Sequence, residues 1–171
     1  MNRPSKEYLE KYAGEEARIG LILEEIYGLH LYKDIPTSDI DFFVLNDAGD
    51  MKALCEVKCR SRGKENHPST KYKEWIIPKR KFEYVKKCYK TYPKEFEFWI
   101  VVEWADGLFR ATFKKGDPFK FEETDIKRAD RNKAVPHLLI PSKLFKKIKP
   151  NSDFKQGSGA GMKWLEPNES S

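Results

Sequence analysis

The chain lacks the marks of several large functional classes. No apolar run approaches the roughly 20 residues of a membrane span, and the first residues show no secretory leader, so a cytoplasmic protein with no membrane partner is expected. Cysteine is scarce, with only Cys55, Cys59 and Cys88 among 171 residues. An odd, sparse set without a Cys-x-x-Cys pair fits reduced thiols and argues against zinc or iron–sulfur ligation. His30, His67 and His137 are isolated and show no ligand spacing. No glycine-rich loop that could cradle phosphates is present, so no nucleotide cofactor is expected. There is also no internal repeat, and the length fits one domain with a core of its own.

Charge is what the chain has in abundance. Charged residues make up 35% of it, the net charge is +6 and the pI is near 9.1, a balance that favours polyanionic partners. The surplus is local: Lys58–Lys94 holds 13 Lys/Arg against three Glu. Basic side chains of this kind contact phosphates, giving salt-dependent affinity without base specificity. Arg60, Arg62, Lys79 and Lys81 are the candidates for nucleic-acid contact, whereas Lys86, Lys87 and Lys90 read as the solvated face of a helix.

At the start of that basic block lies the segment that carries chemistry. Residues 40–45 and 53–59 are short apolar runs separated by the turn formers Asn46, Asp47, Gly49 and Asp50, which predicts two strands of a hairpin. Alternation along the second strand puts Leu54, Glu56 and Lys58 on one face and Cys55, Val57 and Cys59 on the other. Asp41 precedes Glu56 by 15 residues, a separation that an antiparallel hairpin closes. Acid-x-Lys occurs at Asp50/Lys52, Glu56/Lys58, Asp125/Lys127 and Asp153/Lys155, yet only Glu56/Lys58 ends an apolar strand that follows another strand with an Asp. Two carboxylates and a lysine so gathered can hold a divalent metal and a water. Upstream, residues 5–27 predict an amphipathic helix, with Ser5 as cap and Gly28 past its end. Glu16 shares the inward face of Ile19 and Leu23, with Glu15 its alternate, and an inward glutamate needs a partner.

In motif and element order, over about residues 5–115, this arrangement resembles the PD-(D/E)xK nucleases, the restriction-endonuclease-like superfamily. The resemblance implies an α/β fold with a mixed central sheet flanked by helices. It also implies Mg²⁺-dependent hydrolysis of phosphodiester bonds, usually in DNA, with Mn²⁺ as a substitute. Asp41, Glu56 and Lys58 match by position, and Glu16 matches the supporting glutamate on the first helix. One departure is visible: the name-giving proline directly precedes the Asp in the family, whereas here Pro36 is followed by Thr37, Ser38 and Asp39. That leaves Asp39 as a competitor for Asp41. The implied site holds Mg²⁺ through Asp41, Glu56, the backbone carbonyl of Val57 and Glu16, with Lys58 orienting water or stabilising phosphate charge. The helix after the Glu-x-Lys strand lies near the site in similar nucleases and often supplies a lysine, which bears on Lys79 and Lys81. A homodimer is expected by analogy, because two strands need two sites.

The remaining chain reads as one fold. Residues 60–73 predict a loop, 79–91 a basic helix, Phe96–Val102 and Leu108–Phe113 strands, Val135–Ile140 a last strand and Ser142–Ile148 a short helix. Residues 114–133 are too charged to assign, and Arg128 and Arg131 within them read as solvated surface. The domain is expected to span 1–150, with the Gly/Ser-rich 151–171 as a flexible tail. The expected function is an endonuclease acting on DNA by backbone- or structure-directed recognition, with phage or mobile-element DNA as its setting. The alternatives are a nucleic-acid-binding protein that keeps the nuclease fold without cutting, and an RNA-directed nuclease.

Overall fold

The computed structural model describes residues 14–33, 40–61, 66–117, 120–127 and 132–150. Ser5, Asp39, Arg62, Arg128, Arg131 and the segment 151–171 lie outside the described residues. In chain order the elements are α1 (Glu15–Tyr27), β1 (His30–Tyr32), β2 (Phe42–Leu45), β3 (Met51–Arg60), β4 (Glu74–Pro78), α2 (Lys79–Thr91), β5 (Glu97–Trp104), β6 (Gly107–Lys114), β7 (Glu122–Ile126), β8 (Val135–Pro141), a 3₁₀ turn (Ser142–Leu144) and β9 (Lys146–Lys149). No helix among them is long and apolar enough to cross a membrane.

The central sheet has six strands in the order β1-β2-β3-β5-β6-β9. The β3–β5 pair is parallel and every other pair antiparallel, so the sheet is mixed, as expected. Side chains alternate across it and create two apolar layers. On one side, Ala53, Cys55, Val57, Trp99 and Val101 pack against Ala17, Ile19 and Leu23 of α1. On the other, Leu54, Phe98, Ile100 and Val102 pack against Phe82, Val85 and Tyr89 of α2. Phe82 centres that layer, its ring 5.2 Å from both Phe98 and Phe113 in edge-on contact.

Two local features seat α1. Gly28 closes the helix at φ 63°, a left-handed conformation that strains any residue with a Cβ, and its N–H reaches the Glu24 carbonyl at 2.9 Å. Gly20 allows close approach to the sheet, since a Cβ there would stand 3.0 Å from Cζ of Phe42. Glu15 and Glu16 occupy the first turn, where unpaired backbone N–H groups favour negative charge.

The structure corrects the expectations in the carboxyl-terminal half. Ser142–Ile148 is no helix: a 3₁₀ turn gives way to β9, which pairs with β6 and buries Ile148. Leu144, Phe145 and Ile148 fit a helical spacing as well as an extended one. In so short a segment, pairing with the open edge of β6 decides. Val135–Ile140 does form a strand, extended to Pro141, but β9 follows it and it does not join the central sheet. It is the middle of a second sheet, β4-β8-β7, which the sequence did not announce. Ile77, Leu138 and Ile140 bury this small sheet against the α2 side of the core.

Candidate active site

The hairpin register brings Asp41 and Glu56 together. Phe42 pairs with Cys55, so one further step along the antiparallel ladder sets Asp41 opposite Glu56. The Asp41 carboxylate folds back onto β3, where its Oδ2 accepts the Val57 N–H at 2.8 Å. Burial first, and the Glu56 charge second, push the Asp41 carboxyl above the usual carboxylate range, against the opposing Val57 hydrogen bond.

Glu56 is the most unusual residue of the sheet. It is charged, sits in the middle of β3 and is 1% exposed. Lys81 Nζ reaches Oε2 at 3.0 Å from the first turn of α2, and Lys58 Nζ lies 3.5 Å from Oε1. Oε1 itself is buried and makes no hydrogen bond. A buried carboxylate oxygen without a hydrogen-bond partner is costly unless something else satisfies it. A hard cation is the partner this donor set fits, because carboxylates and a backbone carbonyl are oxygen ligands.

Glu16 approaches the same centre from α1. Burial and, next, the charge of Asp41 raise its pKa, while Lys33 and Lys58 oppose the shift. Lys33 Nζ donates to Glu16 Oε2 at 3.2 Å. Asp41, Glu56, Lys58 and Glu16 therefore share one electrostatic neighbourhood, with Lys81 and Lys33 supplying further cations, of which Lys33 had no role assigned from sequence.

Glu15 goes elsewhere. It lies with Cys59 and Glu103 in a cluster whose ligand atoms are all within 4.8 Å of one another, spacing that could hold a metal ion. Arg18 already fills it: Nη2 lies 2.5 Å from Glu103 Oε1 and 2.6 Å from Glu15 Oε2. The Ser61 hydroxyl also donates to Glu103. With a guanidinium seated among its acids, the cluster is an ion-pair network that ties α1 to β5, and Arg18 already occupies the place a cation would take.

The basic candidates separate in the same way. Lys79 pairs with Glu123 of β7 at 2.6 Å. Lys81 turns inward to Glu56 and is only 11% exposed. The Arg60 guanidinium sits over the Trp75 ring at 5.4 Å, and Arg62 lies outside the described residues. Sequence reasoning could place Lys81 near the site through its helix. It could not show that this lysine, among the three basic residues Lys79-Arg80-Lys81, would point at Glu56.

A mixed sheet whose adjacent strands present an Asp and a Glu-x-Lys, with a glutamate-bearing helix packed on one side, is the architecture of the PD-(D/E)xK nuclease superfamily. Residues 1–148 match the family described as "Phage putative PDDEXK endonuclease", and the chain belongs to that family. No curated protein and no solved structure matches it.

Proposed function

We propose that the protein is an Mg²⁺-dependent endonuclease that hydrolyses DNA phosphodiester bonds at the cluster of Asp41, Glu56, Lys58 and Glu16. The observation that carries this reading is the buried Glu56 carboxylate, with one oxygen lacking a hydrogen bond, directly across the register from Asp41. Asp41, Glu56 and the Val57 carbonyl would hold the ion, with Glu16 beside them. Mg²⁺ held there supplies a Lewis acid for the scissile phosphate and acidifies water; Mn²⁺ has the same ligand preference.

The residues of the chain do the rest. The Val57 N–H fixes one Asp41 oxygen, which sets the direction of the other. Lys81 steadies the Glu56 carboxylate through Oε2, leaving Oε1 toward Lys58. Lys58, a compact charge on a long stem at the solvent side of Glu56, orients the attacking water and stabilises charge developing on the phosphate as the P–O ester bond breaks. The basic surplus in Lys58–Lys94 favours backbone contact with DNA over base readout.

The test is cleavage of supercoiled plasmid, linear duplex, single-stranded DNA and RNA with Mg²⁺ or Mn²⁺ and an EDTA control. Metal-dependent nicking or linearisation of plasmid supports the reading. Cutting confined to RNA would make the protein an RNA-directed nuclease. DNA binding with no cutting of any substrate would leave a binding protein on a nuclease fold.

A further inference from the structure

Beyond Lys58, the same face of β3 continues to Arg60, and an aromatic path begins there. The guanidinium of Arg60 covers Trp75, and Trp75 meets Trp104 edge-on at 5.5 Å. Trp104 is the register partner of Arg60. It also forms one wall of a cleft of about 330 Å³, together with Thr70, Tyr72, Phe109, Lys143 and Phe145. That volume lies in the range of small-molecule sites, and an apolar wall with a few polar groups is their usual lining. Arg60 lies four residues along the strand from Glu56, about 13 Å, and its register partner Trp104 walls the cleft.

Tyr72 gives the cleft its chemistry. The residue is 52% exposed, the highest value among the large hydrophobic residues described. It stands between the exposed Lys71 and Lys73, with exposed Lys143 on the same cleft. The backbone beneath it is fixed. The Ser142 hydroxyl donates to the Tyr72 carbonyl at 2.7 Å, and the Ser142 N–H donates to the Lys73 carbonyl at 2.8 Å. Further back, the Ser69 N–H and hydroxyl donate to Asp106 at 2.8 and 2.6 Å. An exposed aromatic ring on a rigid support, flanked by lysines, is the pairing of stacking platform and phosphate contact by which proteins hold single-stranded nucleic acid. A duplex keeps its bases stacked inside and has nothing to offer such a ring.

We propose that this cleft holds an unpaired base of the DNA substrate, stacked on Tyr72, with Lys71, Lys73 and Lys143 on the adjoining phosphates. The proposal rests on the reading of Glu56 and Lys58 as the cutting site, and it names the substrate class: duplex DNA that gives way to a single strand. Such ends or branches are bound more tightly than continuous duplex.

The test compares wild type, Tyr72→Ala and Tyr72→Phe on two duplexes, one blunt and one with a short overhang carrying 2-aminopurine, in EDTA so that nothing is cut. Wild type and Tyr72→Phe quench the 2-aminopurine on binding, and Tyr72→Ala does not. Tyr72→Ala weakens overhang binding about tenfold and leaves blunt-duplex binding unchanged. Equal overhang affinity for Tyr72→Ala and wild type, or an equal loss on both duplexes, overturns the proposal. Cleavage of both duplexes with Mg²⁺ separates the two readings. If wild type and Tyr72→Ala cut blunt and overhang duplex alike, the cutting site stands and the cleft proposal falls. If wild type cuts neither while Tyr72→Ala still loses overhang binding and quenching, the cutting-site reading falls and the cleft stands as a site for unpaired DNA.

Discussion

Lys81 Nζ lies 3.0 Å from Glu56 Oε2, spanning from the first turn of α2 to a carboxylate in the middle of the sheet. Removing one partner of a buried pair leaves the other charge uncompensated, at a cost of about 3–5 kcal/mol. Lys58 remains 3.5 Å from the same carboxylate, which favours the low end. Lys81→Met is therefore expected to lose about 3 kcal/mol of metal-free stability, read by urea unfolding. Added Mg²⁺ narrows the gap, because an ion held by Glu56 takes over the role of counter-charge.

Metal should stabilise the fold through the same carboxylates. At a hundredfold excess over Kd, a ligand that binds only the native state adds about 2.7 kcal/mol, or roughly 5–10 °C in Tm for a chain of this size. Thermal unfolding with Mg²⁺ or Mn²⁺ should show that gain in wild type and lose it in Asp41→Asn and Glu56→Gln. A full gain in either variant would place the ion elsewhere.

The raised pKa values of Asp41 and Glu16 have a definite sign. Each group holds its proton more tightly folded than unfolded. Over the window from the ordinary carboxylate pKa, about 4, up to the raised values, the native state binds more protons and stability falls as pH rises. Metal-free Asp41→Asn should lose part of that slope in unfolding measured from pH 4 to 7. An ion must displace those protons, so metal affinity in wild type should weaken on acidification before the ordinary carboxylate pKa is reached.

Arg18 and Glu103 make another internal ion pair, joining α1 to β5 with Glu103 only 6% exposed. Arg18→Met should lose about 2 kcal/mol, with Glu103→Gln milder and the double variant less than additive, a coupling of about 1 kcal/mol or more. Because Arg18 already occupies this cluster, Mg²⁺ should give wild type and Glu103→Gln the same rise in Tm.

These pairs show what the sequence could and could not disclose. Glu56 and Lys58 on one face, with Asp41 across the hairpin, follow from alternation along a strand and a short turn, and the register agrees. The layers built on α1 and α2 were equally readable, because their apolar residues recur at helical spacing. The choice between Glu15 and Glu16 was not, since both flank the inward face; only the position of Arg18 draws Glu15 away to Glu103. Nor could short, charged segments reveal β7 and β9, whose strands exist because neighbouring edges pair with them. Lys81 needed the angle of α2 on the sheet, a tertiary quantity that no local pattern carries.

The most direct test is the single variant Lys58→Ala, assayed for plasmid cleavage beside its binding of DNA and metal. The account predicts that DNA affinity and the Mg²⁺-induced rise in Tm persist while the cleavage rate falls by about 10²–10³, the loss typical when one group stabilising transition-state charge is removed. Cleavage by Lys58→Ala at the wild-type rate would contradict it, and the cutting site would have to lie away from Glu56.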